Sequence, residues 1–182
     1  MISDLRSVGL IYRSFRVEAT GVLIFLAAIL LGFVLQPIDG LALVDNRICD
    51  LSIAAGDNMQ FSKSEMSVSA SCEIVTVTLV HTGKLPKVGM GHNWVLTRKV
   101  DFRNVAADGV SAGLASHFVK EGDARVVAFT ELIGGGESIS VSFSTKGMEV
   151  GDEFIFFCSY PGHWGIMKGA FLLTQPLGST QS

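Results

Sequence analysis

Two stretches, EIVTVTLVH (73–81) and ESISVSFS (137–144), alternate apolar and polar residues with period two. A strand points successive side chains to opposite faces, so strict alternation calls for a sheet with one face buried and the other wet. Val75, Val77, Leu79 and His81 share the inward face of the first stretch, and Ile139, Val141 and Phe143 that of the second. HNWVLT, RVVAFTEL, EFIFFC and KGAFLLTQ are further apolar runs of strand length, parted by Gly, Asn, Asp and Pro. Many short strands so punctuated predict an all-β, antiparallel sandwich. The alternation lapses between Val100 and Leu114, where Phe102, Val105, Ala106 and Val110 recur at the spacing of a short helical insertion across one side of the sheet.

This domain is expected to run from Cys49 to Gln175. Ahead of it, residues 19–36 carry no charge and residues 1–18 carry Arg6, Arg13 and Arg16. That pattern predicts an N-terminal hydrophobic helix, just long enough to span ~27–30 Å of hydrocarbon, with residues 1–18 in the cytoplasm and the rest delivered across the membrane. It is either a signal, for which Gly40-Leu41-Ala42 offers small residues at a cleavage site, or a retained anchor tethering the domain. Residues 37–48 hold turn formers and read as a linker, and 176–182 as a loose tail. Lys and Arg total 14 against 17 Asp and Glu, a near balance that supplies no field for nucleic acid.

Three cysteines in an exported chain leave one thiol over from any disulfide. Cys49 and Cys72 flank the first strand region and are paired here, a closure contributing about 3 kcal/mol; two buried free thiols are the alternative. Cys158 remains, and taken alone it reads as a small core hydrophobe. It is not alone. In FFCSYPGHWGIM the turn at Pro161-Gly162 folds the chain back, so that Cys158, His163 and Met167 can face one point. A thiolate and a thioether select soft or borderline ions, and a thioether is a poor zinc ligand that suits copper. Copper takes a second imidazole, and His92 is best placed of the remaining histidines: it opens a strand pattern after Gly91, whose bare backbone lets a carbonyl come close to a metal. Two His, one Cys and a weak axial Met are the donors of a blue copper electron-transfer site.

Cys158-Ser-Tyr-Pro-Gly-His163-Trp-Gly-Ile-Met167 and Met90-Gly-His-Asn-Trp-Val-Leu96 closely resemble the azurins among the cupredoxins. CDLSIAAGDNMQFS, LVHTGKLPKVGMGHNW, VVAFTELIGGGES and FFCSYPGHWGIMKGAFLLT resemble azurin segments in order, from Cys49 to about Thr174. The resemblance implies a cupredoxin-like Greek-key β-sandwich binding one type 1 copper per chain. It implies that His92, Cys158 and His163 bind the metal in a near-trigonal plane, with Met167 and the Gly91 carbonyl axial. Asn93 would support the thiolate and tie the two ligand loops together. The edge of His163 would lie in an apolar docking patch matched by Leu85, Met90, Val110, Pro161 and Gly162. The function so implied is periplasmic shuttling of single electrons between redox partners such as a c-type cytochrome or a copper or haem reductase.

Some residues admit a plainer role. His81 is either a satisfied core histidine or, as the resemblance implies, a neighbour of the copper that couples pH to potential. His117 is given no role, and Trp94 is expected in the core. Trp164 follows a ligand where small residues are common among azurins, and either widens the docking patch or covers the loop. Two functional alternatives differ in kind. A copper oxidoreductase domain needs histidines for a second copper centre, and only His81 and His117 are spare. A storage or delivery protein needs exposed, exchangeable Met and Cys ligands, which this chain does not display. A structural zinc site is disfavoured by Met167.

Overall fold

The computed structural model describes residues 49–176. The segment 19–36, its flanks and the tail from 177 lie outside the described residues, and among the described residues no helix is long and apolar enough to cross a membrane. Among the described residues eight strands form two sheets. The smaller is ordered β1 (Asp50–Ala55), β3 (Ile74–His81), β6 (Ser138–Ser144). The larger is ordered β2 (Glu65–Ser69), β8 (Lys168–Thr174), β7 (Phe154–Phe157), β4 (Val95–Arg98), β5 (Val126–Phe129).

The alternating stretches become β3 and β6, paired antiparallel with Thr76 opposite Ser142 and Thr78 opposite Ser140. Their outer faces are joined by hydroxyl hydrogen bonds of 3.0 and 2.8 Å. The inward face buries Val75, Val77, Leu79 and Phe143, while Ile139 and Val141 are half-buried against the same core. Trp94 is fully buried and packs on Phe143, Phe156 and Phe171 with ring centroids 6.0–6.2 Å apart.

The expectation of a purely antiparallel sandwich is corrected in two places: β1 pairs with β3, and β2 with β8, in parallel. The cause is the path of the chain. It runs along β1, turns across to the other sheet for β2, and returns beside β1 for β3; two reversals restore the original direction. The helical insertion is present as α2 (Phe102–Ala112), which follows a single helical turn, α1 (Lys87–Met90). Phe102, Val105, Ala106 and Gly109 of α2 are buried, and Val110 faces outward. Phe102, Val105 and Ala106 form a second apolar cluster with Val95, Val119 and Phe157. β4 thus buries Val95 on one face and Leu96 on the other.

β1 and β3 begin at Cys49 and Cys72, which are joined as a disulfide, and they end at the Ala55-Gly56 turn and at His81. The approach to β4 and the end of β7 converge on that second end of the sandwich, where His92 and Cys158 meet, and the Met167 carbonyl before β8 accepts the Cys158 N–H.

Candidate metal centre

Cys158 leaves β7 with its N–H donating to the carbonyl of Met167 at 3.0 Å, so the β7–β8 ladder closes just above the loop 159–166. Within the loop, the N–H of His163 donates to Tyr160 O at 2.9 Å and that of Met167 to His163 O at 2.8 Å. Gly162 sits at φ +84°, a left-handed turn conformation open to glycine at no steric cost. These turns fold His163 back over Cys158. His92 reaches the same place from the other loop, exchanging backbone hydrogen bonds of 3.0 and 2.8 Å with Ile133.

Cys158 Sγ lies 3.6 Å from His163 Nδ1 and 3.9 Å from His92 Nδ1, and the three donor atoms lie within 4.8 Å of one another. A borderline ion held about 2.0–2.3 Å from each donor sets donor–donor distances of roughly 3.5–4 Å, so the spacing fits one metal. The protonation states fit as well. His92 Nε2 donates to Gly56 O at 2.9 Å, which leaves Nδ1 with a free lone pair aimed at the sulfur. Burial, aided by the neighbouring rings of His81 and His163, pushes the His92 pKa down to about 4 against the pull of the Gly56 bond. Burial also lowers that of His163. Burial pushes the Cys158 thiol up to about 12, although the N–H groups of Asn93 and Tyr160 point at the sulfur and favour the thiolate. Two neutral imidazoles around a thiol that resists ionising need a cation to balance a thiolate, and a soft donor set of this kind suits copper. This is the one such His and Cys group among the described residues.

Met167 is fully buried in the core cluster that holds Cys158. Gly91 is extended, at φ −70° and ψ 146°, and tightly packed: a Cβ there would run into the carbonyl of Lys87 and meet Leu132 Cδ2 at 2.7 Å. Asn93 is buried and ties the two loops, accepting from Ser159 N–H at 2.9 Å and donating to Ser159 Oγ and His117 O, both at 2.8 Å. His81 is a satisfied core histidine, donating from Nε2 to Met90 O at 2.8 Å and accepting the Gly83 N–H at Nδ1. Its ring stacks on His92 at 4.6 Å. Trp164 packs edge-on against Phe102 at 6.0 Å, beside the cluster under α2.

His163 is 4% exposed where His92 and Cys158 are 0%, which makes it the ligand candidate nearest solvent. Leu85, Val110, Pro161 and Gly162 are exposed and Met90 half-exposed. Two further apolar residues are exposed: Val88, 67% exposed, whose carbonyl accepts the Tyr160 hydroxyl at 2.6 Å, and Ile166, 61% exposed, three residues past His163. Gly56 and His117 were missed. Nothing in the turn AAGDN or in ASHFV announces a partner across the fold.

A sequence profile described as copper binding proteins, plastocyanin/azurin family, matches residues 47–174. Among curated proteins, the chain is 51% identical over 127 residues to an azurin of Achromobacter denitrificans, covering 70% of this chain and 85% of that one. It is 50% identical over 125 residues to the azurin of Alcaligenes faecalis, covering 69% and 98%. Among solved structures, the azurin Az-iso2 from the obligate methylotroph Methylomonas sp. strain J is similar with a TM-score of 0.68 at 45% identity, over 70% of this chain and 98% of that one.

Proposed function

The chain belongs to the plastocyanin/azurin family of copper-binding proteins, and from that premise we propose that it is a periplasmic carrier passing single electrons between redox proteins. It binds one copper and moves electrons to and from partners; it is not an enzyme. The observation carrying the reading is the convergence of Cys158, His92 and His163 in a buried group whose ring nitrogens face the sulfur.

Copper bound there supplies a one-electron Cu(II)/Cu(I) couple. In this reading His92, Cys158 and His163 would hold the metal, with Met167 and the Gly91 carbonyl as weaker donors. Cys158 gives up its proton only in exchange for a cation, so loading releases a proton. Gly56 fixes the His92 ring and Asn93 fixes the Cys158 loop. The donors therefore have little freedom to move as the charge changes, which keeps reorganisation small. His163 is the exit, at a docking patch of Leu85, Met90, Val110, Pro161 and Gly162 extended by Val88 and Ile166. A small apolar contact suits the brief encounters that turnover needs. Partners of the right kind are a c-type cytochrome or a copper or haem reductase. Residues 1–18 stay cytoplasmic, 19–36 act as signal or anchor, 37–48 link, 49–175 form the copper domain and 176–182 trail. Ligands this buried disfavour the exchange that storage or delivery requires.

The visible spectrum of the copper-loaded protein, with Cys158→Ser beside it, tests the reading. An intense thiolate-to-copper band is expected in the parent and absent from the variant, with reversible one-electron voltammetry and no metal loss on cycling. A colourless oxidised protein, or a band that survives in Cys158→Ser, overturns it.

A further inference from the structure

His117 ends a 3-10 turn, Leu114–Ser116, in the left-handed conformation at φ 55° and ψ 25°, and Phe118 follows at φ 56°. Non-glycine residues there cost about 1 kcal/mol or more each. Two in a row persist only where surrounding contacts hold them. Its own N–H donates to the Leu114 carbonyl at 3.0 Å within the turn, and two further contacts of His117 lead to the metal centre. Its Nδ1 accepts the N–H of Leu132 at 3.2 Å. Leu132 is followed by Ile133, which exchanges two backbone hydrogen bonds with His92, and its side chain closes over Gly91. The His117 carbonyl accepts from Asn93 Nδ2 at 2.8 Å, and Asn93 in turn accepts the N–H of Ser159, next to Cys158.

We propose that His117 is a positioning residue of the metal centre: its ring sets the 132–133 segment that registers His92, and its carbonyl sets the Asn93 amide that holds the Cys158 loop. The left-handed turn lets one residue serve both loops, since its ring meets Leu132 and its carbonyl meets Asn93. Neither a ligand nor a surface ornament, His117 joins the histidine and thiolate sides of the site at a single point. The inference rests on the copper reading for its consequence, but its geometry is testable without metal.

Three variants separate the parts. His117→Asn keeps an acceptor at the δ position and tolerates the left-handed turn; His117→Ala loses the acceptor; His117→Gly loses it without backbone strain, and stands in if the alanine variant does not fold. In the metal-free protein, amide exchange at Leu132 is expected to quicken about tenfold in the Gly variant, as for loss of one hydrogen bond. The Ser159 amide stays protected there, because the carbonyl remains. In the copper-loaded protein, the midpoint potential and the Cu(II) hyperfine splitting move in the Ala and Gly variants and return to parental values in Asn. Parental potential and hyperfine splitting in the Ala or Gly variant, unchanged Leu132 exchange, or failure of Asn to restore them overturns the proposal. A parent lacking the blue copper band overturns the copper reading instead and leaves the exchange measurement as the test of positioning.

Discussion

Burial keeps His92 neutral in the folded protein down to about pH 4, whereas an unfolded imidazole takes up its proton near 6.5. Between those values the unfolded chain binds a proton that the folded one refuses, so the metal-free protein loses stability as pH falls from about 6.5 and stops losing it from this source below about 4. His163, shifted the same way by burial, adds to the slope. Asp57, Asp123 and Asp152 have carboxyls held below the usual range, chiefly by hydrogen bonds from Lys84 N–H, from Arg125 and from Glu149 N–H respectively. Their contribution is lost only at lower pH, beneath the unfolded carboxylate value near 4. Denaturant titrations of metal-free protein should therefore show stability falling between pH 6 and 5, and His92→Gln should lessen that slope by about 1.4 kcal/mol per pH unit, one proton's worth. An unchanged slope would place the linkage elsewhere. The donors themselves were legible in the sequence because their chemistry lies in residue type and loop spacing. The tautomer of His92 was not, since it is set by the Gly56 carbonyl from another strand end. His117 was given no role for the same reason, its partners Leu132 and Asn93 lying in other loops.

At the scale of elements, α2 meets the 117–118 corner through Gly109. A Cβ on Gly109 would run into the Phe118 carbonyl, a backbone atom with little room to give. Gly→Ala in a helix ordinarily gains about 1 kcal/mol, but overpacking a closed contact costs about 1–3 kcal/mol. Gly109→Ala should thus destabilise by about 1–2 kcal/mol in urea titrations rather than stabilise; a gain would show that helix and corner part easily. α2 was legible from Phe102, Val105 and Ala106 at helical spacing, and β3 and β6 from strict alternation. β1 and β2 were harder to read, because DLSIAA and EMSVS are short and bounded by strongly polar turns. Their parallel pairing was illegible: period two shows which face of a strand is buried, but strand direction depends on which sheet each connection reaches.

Across the whole molecule, the two covalent or near-covalent ties sit at opposite ends. The Cys49–Cys72 disulfide sits just ahead of β1 and β3, whereas His81 ends β3, and Gly56 with the His92, Cys158 and His163 group lies past the far end of β1. At about 3.3 Å per residue, six to eight residues separate them by roughly 20 Å. The disulfide acts mainly by restricting the unfolded chain, worth about 3 kcal/mol for a loop of this length. The metal acts by binding the folded state alone. Sites so far apart contribute additively to within about 0.5 kcal/mol. Replacing both cysteines by alanine should therefore cost the same in metal-free and copper-loaded protein, measured by denaturant titration on reversible samples, and leave the copper band where it stood. Copper(II) can oxidise the Cys158 thiol once the chain unfolds, so zinc(II) loading serves as a redox-inert check on the same cycle. A coupling above about 1 kcal/mol would mean that the strands transmit strain along their length, and that the sandwich is a spring between the two ties rather than a rigid spacer.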